Sequence, residues 1–323
     1  MQKQKNSSRL FTNLALTTSL LTLGLIVFGA VVRVTDSGLG CGNDWPLCDG
    51  TIFPPLDNLT AWIEWLHRLF ALLIGLFGLG TLFVAWRAYR VHNRTVLIAT
   101  GIAALLFLVQ SGLGAIVVIF DLPPTMVTIH LGTAMLLLAA LLLATIGSWY
   151  RPQARYERDH VTLLAYVTAS LSLVIILTGA LVRGAGATLA CGDWPLCNGA
   201  ILPFDQGQLQ VVHMTHRYAV AGLGLALVLL LWYVFRTRNN IYVRWLMALS
   251  LLTYLMQAAV GALFVLAQAA PIWGAAHVGL AAATWALLIS LCVIETYNSR
   301  APIVEEKNVS EGEWNLQSDP SLR

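Results

Sequence analysis

Four histidines arranged as two matched pairs are the residues most able to do chemistry. His67-Arg68 returns as His216-Arg217, and His130-Leu131-Gly132 returns as His277-Val278-Gly279. Glu64 stands three residues before His67, on the same side of a helix, whereas the matching position before His216 is His213. Cys41-Gly-Asn-Asp-Trp-Pro-Leu-Cys48 returns as Cys191-Gly-Asp-Trp-Pro-Leu-Cys197. The offsets drift little: 150 for Arg33/Arg183, 149 for His67/His216, and 147 for Gln110/Gln257, Pro124/Pro271 and His130/His277. An internal repeat of this length sets the architecture, and here it implies two related sites.

A neutral imidazole binds haem iron or zinc, and helical bundles build haem sites from inward-facing side chains. A structural zinc wants four ligands, and each half offers a pair. A lone membrane histidine is more often a hydrogen-bonded helix contact than a ligand, but two duplicated pairs favour axial ligation of haem. Burying Glu64 costs several kcal/mol unless it is paired or neutralised. It is either a structural hydrogen-bonding group, with an imidazole as one partner, or a catalytic carboxylate in a first half whose counterpart holds a purely redox haem. Arg33, Arg68, Arg183 and Arg217 either snorkel to lipid headgroups or pair with haem propionates. Each cysteine pair closes a small ring around a Trp-Pro turn, with about 2.4 kcal/mol of loop-closure entropy. The rings are structural staples or redox groups; neither has the C-x-x-C spacing of thioredoxin-like sites. Cys292 has no partner and reads as a small core residue. Gly112, Gly114, Gly132, Gly261 and Gly279 allow close helix approach or a flat ring against the backbone.

The elements that position these groups must cross a membrane. Hydrophobic residues make up 58% of the chain and charged residues 11%, about half the charge of a soluble domain. Eight apolar runs are long enough to span the hydrocarbon: Leu10–Val32, Ala61–Trp86, Thr95–Phe120, Met126–Trp149, Val161–Val182, Gln210–Phe235, Trp245–Gln268 and Ile272–Tyr297. No alternating pattern points to a barrel, and helices satisfy their own backbone. The expected fold is an all-α membrane protein of eight transmembrane helices in two pseudo-symmetric four-helix bundles. The halves are residues 10–149 and 161–297, followed by a polar tail, 298–323, expected to be disordered.

Orientation follows from the basic residues. Lys3, Lys5 and Arg9, then Arg87, Arg90 and Arg94, then Arg151, Arg155 and Arg158, then Arg236, Arg238 and Arg244, and finally Arg300, Lys307 and Arg323 all fall on one side. Both termini are therefore expected in the cytoplasm and the cysteine loops outside, where disulfides persist. His92 and His160 fall in charged cytoplasmic loops. The four paired histidines lie near the outer helix ends, at a common depth. The first run resembles a signal peptide at its basic start, but the repeat needs it as a helix. The net charge of +3 reflects the cytoplasmic bias and gives no reason to invoke nucleic acid.

Glu64-Trp-Leu-His67-Arg68, His130-Leu-Gly132, His216-Arg217, His277-Val-Gly279 and the two cysteine pairs together resemble the haem A synthase family, over residues 10 to 297. Both cysteine pairs are present, as in bacterial members similar to those of Gram-positive organisms. The resemblance implies oxidation of the C8 methyl of haem O to a formyl group, giving haem A for terminal oxidases at the cell membrane. It implies haem b as prosthetic group on His216 and His277, and substrate haem between His67 and His130 with Glu64 assisting. The partners it implies are haem O, a haem O synthase (a farnesyltransferase), membrane lipid and an electron acceptor or donor of unknown identity. His213 receives no role. The rival readings are a dihaem cytochrome that only moves electrons, a quinone-linked thiol oxidase and a four-histidine transporter.

Topology is directly testable. Cysteine labelling or reporter fusions should place Asp44 and Asp205 outside, and Arg90, Arg155 and Arg238 inside. A cytoplasmic Asp44 would overturn the orientation.

Overall fold

A computed structural model describes residues 2–152 and 159–300. These form eight helices: α1 (Gln2–Val34), α2 (Leu59–Tyr89), α3 (Arg94–Ile119), α4 (Pro124–Trp149), α5 (His160–Gly184), α6 (Gln208–Thr237), α7 (Ile241–Leu266) and α8 (Pro271–Ser299). Each is long and apolar enough to cross a membrane. Arg155, Arg158 and the tail from residue 301, with Lys307 and Arg323, lie outside the described residues.

Local chemistry sets the helix ends. Asn58, Asn93, Asp159 and Asn240 cap α2, α3, α5 and α7 through side-chain oxygens that accept backbone N–H groups. Pro124 and Pro271 open α4 and α8, where a missing N–H costs nothing. The Asn240 cap starts α7 four residues before the expected Trp245, and the Asp159 cap makes His160 the first residue of α5 rather than part of a loop. Hydropathy does not register caps, so both helices begin before the apolar run does. Beyond α3 and α7 the chain turns through left-handed residues, Asp121 and Leu122 in one case, Gln268 and Ala269 in the other.

Helices α1 to α4 form one ring, each packed on the next and α1 closing on α4; α5 to α8 form a second, closed by α5 on α8. The rings join through α1 on α8, α4 on α5 and α4 on α8. Within each ring the second and fourth helices stand across the diagonal, with no backbone contact among the described residues. This arrangement is compatible with duplication.

The halves are not free-standing bundles. The largest core cluster runs through both, including Met135 and Leu138 of α4, Ile175 of α5, Leu227 of α6, Met247 of α7 and Leu288 of α8. The Trp285 indole N–H donates across the seam to the Met135 carbonyl at 3.1 Å. Gly132 and Gly279 let the halves approach: a Cβ there would lie 3.1 Å from Leu177 and 3.2 Å from Val27, which are themselves repeat mates. In lipid there is no hydrophobic drive between helices, so such close packing contributes much of their association.

At the end away from the cysteine loops, the halves differ. Arg238 binds Asp159 at 2.8 and 2.9 Å and the fully buried Glu295 at 2.8 to 3.2 Å. Asp159 lies just beyond the membrane-spanning part of α5, and its hydrogen bonds from Arg238 hold its carboxyl below the usual carboxylate range. Thr162 also donates to Glu295, at 3.4 Å. At the matching place in the first half, Thr12 and Ser148 share a neutral hydroxyl contact of 2.7 Å. A buried ion cluster is tolerated only when its hydrogen bonds are met, as they are here.

Candidate functional site

Both cysteine loops are built alike. Cys41–Cys48 and Cys191–Cys197 are disulfide-bonded, and all four cysteines are fully buried. Each pair ends in a tight turn, Asp49-Gly50 (φ 47° and 74°) or Asn198-Gly199 (φ 49° and 82°). Two consecutive left-handed residues make such a turn, and Asp-Gly or Asn-Gly tolerates them. A cis Trp-Pro bond precedes each second cysteine, at Trp45-Pro46 and Trp194-Pro195. Thiol–disulfide exchange needs reachable sulfur, so this burial suits the staple rather than the redox alternative.

Glu64 is held from above by the first loop and from its own helix by Arg68. Its carboxylate is buried, accepts the Cys41 N–H at 3.0 Å, and forms an ion pair with Arg68 one turn later. Its partners are thus a guanidinium and a backbone amide, rather than an imidazole. Gly40 makes the approach feasible, since a Cβ there would fall 2.4 Å from the Thr60 carbonyl carbon. Arg68 also donates to the carbonyls of Asp44 at 3.0 Å and Leu47 at 2.8 Å. Arg217 likewise donates to the carbonyls of Pro195, Leu196 and Cys191. These two arginines pin the loops to the helices, a use that neither the lipid nor the propionate reading anticipated. His213, in the place of Glu64, is buried, and its Nδ1 has no hydrogen-bond partner among the described residues. Arg33 and Arg183 meet between the halves, where Asp36 lies 3.8 Å from the first and 3.3 Å from the second.

Each of the four histidines lies against a glycine on the helix before it. A Cβ on Gly29, Gly114, Gly179 or Gly261 would come within 3.2, 3.3, 3.1 or 2.8 Å of the ring of His67, His130, His216 or His277. Gly29/Gly179 and Gly114/Gly261 keep the repeat offsets, so the seat for the ring is duplicated along with the ring. Gly112, by contrast, faces open space. His67 and His130 stand on the second and fourth helices of their ring, across its diagonal, and so do His216 and His277 in theirs.

The rings differ in what holds them. His277 Nδ1 donates to the Gln257 carbonyl at 3.0 Å. Thr178 Oγ1 gives its proton to the Ile175 carbonyl at 2.9 Å, so it accepts from His216 Nδ1 at 3.3 Å. Both second-half rings therefore keep Nε2 as the free lone pair, the arrangement found in histidines that ligate metal. The second-half pair fits a haem. In the first half, Phe28 occupies the position of Thr178 and offers the His67 ring a hydrocarbon neighbour, with centroids 5.9 Å apart. The Gln110 side-chain amide lies 3.1 Å from His130 Nε2, while His130 Nδ1 is buried without a partner. The sequence assigns no site role to Thr178, Phe28, Gly29 or Gly179, although their 150-residue spacing is available as a signal.

A family model described as cytochrome oxidase assembly protein, COX15-CtaA, matches residues 12–289. The chain is 33% identical to the heme A synthase of Symbiobacterium thermophilum over 282 residues, covering 83% of this chain and 90% of the relative. It is 33% identical over 263 residues to that of an Exiguobacterium species, covering 78% and 83%. With that of Geobacillus kaustophilus it shares 32% identity over 302 residues, covering 88% and 92%.

The glycine seats generate a paired test. Gly261→Ala places a methyl 2.8 Å from the His277 ring and should destabilise the protein by about 1–3 kcal/mol, the cost of overpacking. Gly112→Ala meets nothing and should be neutral or stabilising by up to ~1 kcal/mol through helix propensity. Thermal unfolding in detergent compares them; equal melting temperatures would contradict the seat.

Proposed function

The chain belongs to the COX15-CtaA family of cytochrome oxidase assembly proteins, and we propose that it is a haem A synthase, a membrane oxidoreductase converting the C8 methyl of haem O to a formyl group. The observation that carries this is the unequal support of the two histidine pairs. In residues 161–297, His216 and His277 have anchored Nδ1 atoms and a free Nε2, which suits a permanent haem b. In residues 10–149, His67 and His130 lack those anchors and share their half with Glu64, which suits a haem that arrives, reacts and leaves. The enzyme acts in the cell membrane with both termini in the cytoplasm. Haem O reaches it from a farnesyl-transferring haem O synthase.

Methyl oxidation proceeds through an alcohol to a gem-diol, which loses water to give the aldehyde. With water as oxygen source, the net change takes four electrons from the substrate and releases four protons, two from the methyl group and two from the water. The electrons pass to an external acceptor. Haem b supplies a one-electron relay when bound. The methyl carbon is attached to a conjugated ring, so positive charge develops there as electrons leave. Both oxygens of Glu64 already accept N–H donors. This favours Glu64 as a fixed negative charge that stabilises that carbon over its alternative role as proton acceptor. The disulfide ring contributes by holding the Cys41 N–H in place, and Arg68 ties loop, carboxylate and helix together. A pure electron carrier would have no use for a carboxylate held this way in one half alone.

Glu64→Gln tests the assignment. It keeps the shape but removes the charge, and leaves His216 and His277 untouched. Haem b content should stay near normal, while haem A formation falls by at least ~10²-fold and haem O or its hydroxylated derivative accumulates. His216→Ala or His277→Ala should instead remove most of the haem b. Wild-type haem A output from Glu64→Gln would sink the catalytic reading.

A further inference from the structure

Gln110 and Gln257 are repeat mates, yet they treat the histidine beside them in opposite ways. Gln257 uses its backbone carbonyl, which accepts from His277 Nδ1 at 3.0 Å. Gln110 uses its side chain, whose amide nitrogen lies 3.1 Å from His130 Nε2. An amide nitrogen can only donate, so Nε2 of His130 carries the lone pair and its proton sits on Nδ1. That Nδ1 is buried without a hydrogen-bond partner, and so is the Gln110 Oε1. One hydrogen bond thus stands between two buried, unsatisfied atoms. Such groups are rare in folded proteins, and each calls for a functional explanation.

The ring is already in the tautomer that binds iron. The amide occupies the one lone pair that iron would use. We propose that Gln110 is a displaceable placeholder on His130, a positioning residue that keeps the first-half haem exchangeable. This rests on the assignment of that half to a transient haem. Two effects act together. The amide competes with iron for Nε2, so every departure of haem is met by a waiting hydrogen bond. The unanchored Nδ1–H leaves the imidazole a weaker donor than His277, whose anchored partner raises ligand basicity; such second-shell partners change metal affinity by about 10- to 100-fold. Phe28 in place of Thr178 withholds the corresponding anchor from His67. The second half has no placeholder on its ligating nitrogens among the described residues, and this suits a haem that stays. A synthase must release each product before the next substrate enters, and a resident relay must not. The fold meets both needs by changing which group of one glutamine faces the ring, and one hydroxyl for a phenyl.

The test uses the full-length protein in detergent with its resident haem, loaded with ferric protohaem as the probe for the first half. Excess apomyoglobin then captures whatever dissociates. Wild-type protein should release haem in two phases, a fast one abolished by His67→Ala and a slow one abolished by His277→Ala. Gln110→Leu and the longer, unbranched Gln110→Met should both slow the fast phase by roughly tenfold, the scale of one lost competing hydrogen bond, and leave the slow phase unchanged. Absorption spectra should show a larger share of six-coordinate haem in the first half of both variants. A fast phase that is unchanged or accelerated in the two variants would overturn the placeholder while leaving the two-site assignment intact. Absence of any phase sensitive to His67→Ala would overturn both.

Discussion

A histidine binds iron through one ring nitrogen, and the fate of the other decides how firmly. The rest of this structure depends on that constraint. In the second half each Nδ1 has an acceptor that fixes tautomer and orientation, Thr178 for His216 and the Gln257 carbonyl for His277. In the first half the same two rings sit on the same kind of glycine seats without those acceptors. Two sites of matching shape therefore differ in hold. On the proposed assignment, a handful of side chains separates a resident cofactor from a passing substrate.

The scaffold must keep the rings in register across a diagonal that no backbone contact bridges. It does so from two directions. Glycines at Gly29, Gly114, Gly179 and Gly261 bring the neighbouring helix flush against each imidazole, and the seam between halves is closed by Gly132 on Leu177 and Gly279 on Val27. The disulfide loops close the end above the rings, and Arg68 and Arg217 stitch each loop to the helix bearing His67 or His216. In the first half the same stitch also fixes Glu64, so its carboxylate is part of the loop anchor. The charged cluster of Arg238, Asp159 and Glu295 ties the opposite end of the second half, where the first half uses hydroxyls.

Much of this was legible in the residues. Eight apolar runs, the repeat and the duplicated histidines follow from periodicity, and they match the helix bounds to within four residues except at the start of α1, which lies eight residues before the expected Leu10. The least accurate starts are those of α1, which begins at Gln2 rather than Leu10 because its first turns are polar, and α7, where the Asn240 cap looks like loop to a hydropathy count. The Glu64–Arg68 pair was readable from its four-residue spacing, but Arg68 was assigned to lipid or propionate because sequence does not show that loop carbonyls would fold back onto it. The contrast between Phe28 and Thr178 was invisible for a different reason. Each lies 38 or 39 residues from the histidine it touches, and only helix packing brings them together. Gln110 was visible as a repeat mark, but whether its side chain or its backbone faces the ring cannot be read from its identity.

The division of labour between the halves is tested most directly by extracting and chromatographing the haems carried by the purified protein from cells that make haem O. The expected result is about one equivalent of haem b per chain together with a smaller, variable amount of haem O and formyl-bearing haem. His67→Ala should lose the second fraction and keep the first. Two full equivalents of haem b with no formyl-bearing haem would contradict the account and leave a dihaem electron carrier in its place.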